Sequence, residues 1–463
     1  MQIRESSFGY WSSQPAFLAV ATGAALGIGN SARVPYLMSE YGGLAFLLVY
    51  ILCLLLVGLP ILVAEWALGR WMRDELGAGF ARLSQAAHAS RAWSWLGRLA
   101  VIGAVMILSY YSVIAGWSLG YLFRGAGGFL ADRDSSEASR IFLKLARDPE
   151  RSLAWHTLFM VVVTIVVSYG FRDGIERAAR RMVPAILLLT MAFAVLAFYV
   201  GDPDSAVRAM ITPDFSRLGW RGVVEALYQA FFTLGLGLGV MMTLGAYLPA
   251  SVPLVRLGLW VIAADCVFGL LAGAGLLSLL MAAGMRPTSG LGLIFQSFPQ
   301  ALPPTGAGVW LAVLFYLVLF LATLLAAATL LEPVTRYLME RYRQTRVFAA
   351  MGAAVVVWFL GIGSLLSFGV TAELRLFGQN FFEWMQFLTS FVIVPIGGLM
   401  VCVYVARILP RELSLAVWGP RERRLHGVWR FCLRYPARLA LVVVLLHGLG
   451  LLDWFAGLWA EQT

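Results

Sequence analysis

Asp265 stands in the middle of an apolar run, VIAADCVFGLLAG (261–273). A charge at membrane depth costs roughly 2.5–3.5 kcal/mol even on the mildest insertion scale, so it needs an ion beside it or a hydroxyl that bonds it. Two other stretches add main-chain chemistry. GAALGIGN (23–30) and AFFTLGLGLG (230–239) place several glycines at mid-run. Unwinding there would free carbonyls to coordinate a cation and amides to bind a carboxylate, and glycine lowers the cost of that geometry. Redox and hydrolytic chemistry find no such support. Cys53, Cys266, Cys402 and Cys432 lack metal-ligand spacing, and His88, His156, His426 and His447 are scattered among them. No nucleophile and base stand together, so neither an enzyme nor a metalloprotein is expected.

The elements that must position these groups are membrane spans. Of 463 residues, 60% are hydrophobic and 13% charged, more apolar surface than a soluble chain of this length can bury. Runs long enough to cross a bilayer lie near 14–35, 43–69, 97–123, 154–170, 182–201, 223–247, 255–283, 307–335, 347–369, 381–407 and 437–458. That makes eleven spans in one transmembrane domain, with no cleavable leader in MQIRESSFGYW. The formal charge of +10 follows the loops and is almost all arginine, Lys144 being the only lysine, which does not suit nucleic acid. Arg70, Arg73, Arg82 and Arg91 fall in one loop, Arg172 to Arg181 in another, and Arg341 to Arg346 and Arg407 to Arg438 in two more. The alternate loops hold mixed charge, as in ADRDSSEASR (131–140), so the N-terminus is placed in the cytoplasm and the C-terminus outside.

The two glycine-rich runs are the first and the sixth. Broken spans at matching positions of two halves mark inverted-repeat transporters, and five spans per half inverts the second half. The repeats are expected over about 11–201 and 223–407, with an extra span at about 437–458. The plainer reading, glycines that let helices pack closely, explains either motif alone better than it explains the pair. Dinucleotide binding is excluded, because no strand–turn–helix unit surrounds the glycines.

Several motifs in order resemble the neurotransmitter:sodium symporter family, whose fold is that of the bacterial leucine transporter. They are GAALGIGNSARVPYL (23–37), YGG (41–43), GLPILVAEWALGR (58–70), YYSVIAGWSLG (110–120), GIERAARRMVP (174–184), ITPDF (211–215), FFTLGLG (231–237), SFPQAL (297–302) and LLEP (330–333). The resemblance implies an all-α integral membrane protein of the bacterial inner membrane without a twelfth span. It implies a first sodium site at the Ala25 carbonyl, Asn30, Thr233 and Asp265, where a fixed carboxylate would replace the chloride that several animal members need. It further implies a substrate carboxylate at the amides of Ile28 and Gly29 with the Tyr111 hydroxyl, and Phe232 capping the pocket. Glu65 would support the first span from the second. Glu332, before Pro333, is expected to satisfy backbone groups that the proline frees.

The family pattern also breaks. The second sodium site would use the carbonyls of Gly23, Leu26 and Ala322, but its hydroxyl pair falls on Leu325 and Ala326. Methyl groups give a hard cation no ligand, so this site is expected to be lost or degenerate, with Thr22, Thr323 and Thr329 as nearby hydroxyls out of register. Arg33 would form the outer gate, its usual partner replaced by Gln386, with Glu383 a turn away. Trp11 and Glu340 match the inner gate, whose arginine becomes Phe8 and leaves only the distant Arg4. Gly235 and Leu238 replace larger or polar residues, and with Ala24, Ala326 and Leu330 complete an apolar lining. The expected activity is symport of a hydrophobic or aromatic neutral amino acid with one sodium ion. Proton coupling through Asp265, or a substrate sensor that no longer transports, are the alternatives.

Overall fold

The computed structural model describes residues 9–131, 133–249, 252–416, 418 and 423–452, and these are almost entirely helical. Nine continuous helices among them are long and apolar enough to cross a membrane, and Gln14–Ala25 with Gly29–Glu40 forms a tenth, bent by 58°. The remaining run appears as two pieces, Phe215–Phe232 and Val240–Gly245. Numbered in chain order, the spans are therefore 1 (Gln14–Glu40), 2 (Leu44–Met72), 3 (Arg91–Ala126), 4 (Pro149–Ser168), 5 (Phe171–Val200), 6 (Phe215–Gly245), 7 (Leu254–Ala282), 8 (Gly306–Tyr342), 9 (Arg346–Leu366), 10 (Phe381–Ile408) and 11 (Arg423–Gly448). The acidic tail counted toward orientation, Asp453 and Glu461, lies outside the described residues, as do Arg4 and Phe8.

Spans 1 and 6 both break at mid-length, for different local reasons. Span 1 stops at Leu26, whose ψ of 129° is extended, and resumes as a wide turn over Gly29–Arg33. Span 6 unwinds over residues 233–239, where Gly235, Gly237 and Gly239 all adopt positive φ (62°, 80° and 73°). Side chains rarely tolerate that region, so the GLGLG alternation is a backbone requirement. Gly237 is also crowded: a Cβ there would lie 2.4 Å from the Val394 carbonyl of span 10. Glu65 on span 2 accepts a hydrogen bond from the Gly237 amide at 2.6 Å, satisfying a donor that the lost helix would leave orphaned. The sequence reading assigned Glu65 to span 1; the broken segment of span 6 is what it holds.

Close glycine contacts lock the broken spans into the scaffold. A Cβ on Gly69 of span 2 would meet the Met242 carbonyl at 1.8 Å, and one on Gly245 would meet the Trp66 carbonyl at 2.5 Å. Arg70 and Arg73, counted above as loop charge, are instead buried and donate to the carbonyls of Val252 (3.1 Å) and Leu248 (3.0 Å) beyond span 6. Arginine stems pack on apolar surface while the guanidinium finishes a helix end. Glu332 likewise departs from expectation. It does not cap the turn opened by Pro333; its carboxylate pairs with Arg346 and accepts the Tyr247 hydroxyl at 2.9 Å.

Candidate functional site

Asp265, on span 7, gathers side chains from three other spans. The Asn30 amide donates to its Oδ1 at 2.5 Å and the Thr233 hydroxyl to the same oxygen at 3.0 Å. The Tyr50 hydroxyl of span 2 reaches Oδ2 at 3.3 Å, and Thr233 also lies 3.2 Å from Asn30 Oδ1. All four residues are buried, with Asp265 only 1% exposed. A carboxylate, an amide oxygen and a hydroxyl converge here, and Asn30 follows the end of helix Gln14–Ala25, where a helix's last carbonyls lack intrahelical partners. Such hard oxygens suit an alkali cation and not a soft metal. Asn30, Thr233 and Asp265 were singled out from the sequence; Tyr50 was not.

Next to this cluster lies a cavity of about 580 Å³ running between the two breaks. Among its lining residues only Arg33 and Glu225 carry charge, and they pair at 2.5 Å. Ala24, Gly235, Leu238, Ala326 and Leu330 contribute apolar wall. Ile28 and Gly29 face it from the break, and Tyr111 joins them with a buried hydroxyl beside Ile28 that finds no well-formed partner. Gln229 is similar: it is 1% exposed, lines the cavity, and leaves both side-chain polar atoms unbonded. Buried polar atoms without partners are costly, and these are placed to bond a polar ligand in the cavity. Phe232 stacks on Tyr228 at 5.4 Å, and the Arg33 guanidinium lies 4.3 Å above that Tyr228 ring.

The position expected for a second cation is built differently. Gly23, Leu26 and Ala322 are present, but Leu325 packs into the gap between spans 1 and 8. A Cβ on Gly23 would lie 2.9 Å from Leu325 Cδ1 and 3.3 Å from Val183 Cγ2. The Thr323 and Thr329 hydroxyls turn back onto their own helix, to the carbonyls of Phe320 and Ala326, each at 2.9 Å.

Both gates differ from expectation in their partners. Glu383 does not reach Arg33; it closes a capping box with Asn380 at the start of span 10. Glu225 takes that place, and Gln386 remains a lining residue. Glu225, Gln229 and Thr233 recur at i, i+4 and i+8, a polar stripe along span 6 that sequence reasoning missed. At the other end Trp11 is buried, its indole donating to the Leu244 carbonyl at 3.1 Å. It lies 4.1 Å from the Phe171 ring, which stacks on Tyr247 at 3.6 Å. The flanking residues are tied down as well: Ser12 bonds to Glu176, the Tyr10 carbonyl accepts from Arg172 at 3.1 Å, and Arg73 donates to the Tyr10 hydroxyl. Glu340 does not join Trp11. It pairs with Arg336 at 3.4 Å and accepts the Glu75 amide at 2.9 Å.

Two broken spans facing one cavity within a bundle of membrane-length helices, with the Trp11 cluster at one end, are the arrangement of a secondary transporter. A family model described as the Sodium:neurotransmitter symporter family matches residues 8–135 and 140–449, and the chain belongs to that family. Its members are transporters, not enzymes. The chain is 29% identical to the sodium-dependent transporter YhdH of Bacillus subtilis, over 96% of this chain and 98% of that protein. A sodium-dependent transporter of Haemophilus influenzae is 25% identical over 95% and 98% of the two chains. Among solved structures, MhsT in complex with L-phenylalanine aligns with a TM-score of 0.85 and 32% identity, covering 95% of this chain and 99% of that one.

Proposed function

We propose that the protein couples the entry of one sodium ion to uptake of a neutral amino acid with a large apolar or aromatic side chain, by alternating access. The observation that carries this reading is the charge pattern of the cavity. Its only charged lining residues neutralise each other, while unpartnered polar groups gather at the two breaks. A zwitterion with an uncharged side chain fits that distribution. Its carboxylate would meet the Ile28 and Gly29 amides and the Tyr111 hydroxyl, and its side chain would lie against Ala24, Gly235, Leu238, Ala326 and Leu330. The likeness to a protein solved with L-phenylalanine supports the aromatic end of the range.

Sodium would bind at the Ala25 carbonyl, Asn30, Thr233 and Asp265, next to the substrate carboxylate. The fixed charge of Asp265 makes chloride unnecessary, and Leu325 at the second position argues for a single ion. One charge moving down the potential supplies about 2.3 kcal/mol per 100 mV. In this reading spans 1–5 and 6–10 are the inverted repeats (about 11–201 and 223–407), the N-terminus is cytoplasmic, the C-terminus external, and the bilayer is the bacterial inner membrane. Arg33 with Glu225 and the Tyr228–Phe232 stack close the outer side; the Trp11 plug closes the inner one.

A thermal-shift screen of the twenty amino acids, in sodium or in potassium, tests both halves of the proposal. Phenylalanine, tryptophan or a branched aliphatic residue should raise the melting temperature in sodium alone. Stabilisation that ignores sodium and grows at acidic pH would instead support proton coupling, and stabilisation without counterflow in proteoliposomes would indicate a sensor.

A further inference from the structure

A second cavity, of about 610 Å³, opens where spans 3 and 4 meet the helix Ser135–Ala146. It is lined by Arg124, Arg133, Arg140, Lys144 and Arg151, with Glu137 the one lining carboxylate among the described residues. Two of the five cations form ion pairs, Arg133 with Glu137 at 3.3 Å and Arg151 with Asp148 at 3.1 Å. Asp134 also lies nearby: the Glu137 amide and the Ser136 hydroxyl that it accepts, and the neighbouring charge of Arg140, hold its carboxyl below the usual range. Arg124 Nη1 is buried without a hydrogen-bond partner. A guanidinium nitrogen left unbonded in a concave basic wall is costly unless an anion completes it.

The location sharpens the point. Span 4 ends at Ser168, and Phe171 just after it packs on Trp11, so this cavity lies at the opposite membrane face from the plug. Basic residues are disfavoured on the side opposite the arginine-rich loops, yet five of them converge here. The rim is apolar: Phe129 lines the cavity and is 62% exposed, and Phe123 nearby is 59% exposed. Cations under an aromatic rim at the membrane boundary match a phosphate group with hydrocarbon beside it.

We propose that this cavity binds a phosphate-bearing anion, with the headgroup of an anionic phospholipid as the favoured source and free phosphate as the other. The site is independent of the transport reading. Lys144 provides the probe, because it is the only lysine in the chain. The protein is placed in nanodiscs of phosphatidylcholine, of phosphatidylcholine with phosphatidylglycerol, or of phosphatidylcholine with millimolar inorganic phosphate outside. Acylation of Lys144 by an amine-reactive ester is then followed by peptide mass spectrometry.

Phosphatidylglycerol should slow acylation about fivefold or more through occupancy of the site. Protection by inorganic phosphate alone would assign the free anion as the source. A negative bilayer surface also slows acylation without any site, so Arg124→Gln is run beside the parent. That variant should return the rate to within about twofold of the phosphatidylcholine value. Should Arg124→Gln fold poorly, Arg140→Gln, at an exposed position, serves the same purpose. Equal rates in all three preparations, or protection that survives both variants, would overturn the proposal.

Discussion

The two sides of the span 1 break present nearly the same backbone to very different side chains. On one side Asn30, Thr233, Asp265 and Tyr50 bring an amide, two hydroxyls and a carboxylate within 2.5–3.3 Å of one another. On the other, Gly23 faces Leu325 and Val183, and a Cβ on Gly23 would strike Leu325 at 2.9 Å. A broken helix by itself supplies only part of a cation's ligand shell. Freed carbonyls supply partial charge, but an alkali ion stripped of water needs several oxygens, and a methyl group cannot supply one. The backbone offers similar carbonyls on both sides, and the facing helices set how many further oxygens each side holds.

The largest expected effect comes from emptying the polar side. In Asp265→Ala, sodium-dependent stabilisation and uptake should fall by about 100-fold or more, because a buried charge partner is worth roughly 3–5 kcal/mol. Asp265→Asn keeps one carbonyl oxygen and should retain part of the sodium response. Sodium titrations followed by melting temperature distinguish the two. An Asp265→Ala protein that still responds to sodium at the parent's concentration would remove this site from the coupling scheme.

Filling the apolar side should produce the next largest change. Leu325→Thr with Ala326→Ser restores two hydroxyls facing Gly23 and Leu26. Sodium dependence of uptake should change from hyperbolic to sigmoidal, with a Hill coefficient rising from about 1 toward 2 as a second ion is admitted. Losing the Leu325 packing should cost about 2–4 kcal/mol of stability in potassium, part of which sodium returns. A sigmoidal response already present in the parent would show that this side holds an ion despite its methyl groups.

How far the sequence disclosed this contrast depends on which atoms carry the signal. The two breaks were legible because alternating glycines have few other uses in a membrane span, and Asp265 because its burial is expensive. The lack of side-chain oxygens at the second position was legible from residue types alone, since Leu325 and Ala326 carry none. Partners were harder to read. Glu65, Glu332 and Arg33 were all recognised, yet each bonds to a group other than the one expected: the Gly237 amide, Arg346 with Tyr247, and Glu225. Long charged side chains reach several neighbours, and packing selects one. Tyr50 sits in LLVYILCLLLVG (47–58), where one aromatic among aliphatics reads as core, so only the fold reveals that its hydroxyl serves Asp265.

The smallest predicted effect is also the most discriminating, because it compares two threonines. Thr233 points its hydroxyl at Asp265, whereas Thr323 spends its own on the Phe320 carbonyl at 2.9 Å. Both are buried, and Thr→Val removes one oxygen while nearly preserving shape. At Thr233 the loss should weaken sodium about tenfold, since a hydrogen bond or ligand to a charged partner is worth roughly 1.5–3 kcal/mol. At Thr323 the sodium midpoint should stay within about twofold, and stability should change by about 1 kcal/mol or less, because a helical carbonyl keeps its main-chain bond. Equal losses at the two positions would mean that Thr323 rotates to serve a cation in the working cycle. The asymmetry between the two sides of the break would then belong to one conformation only.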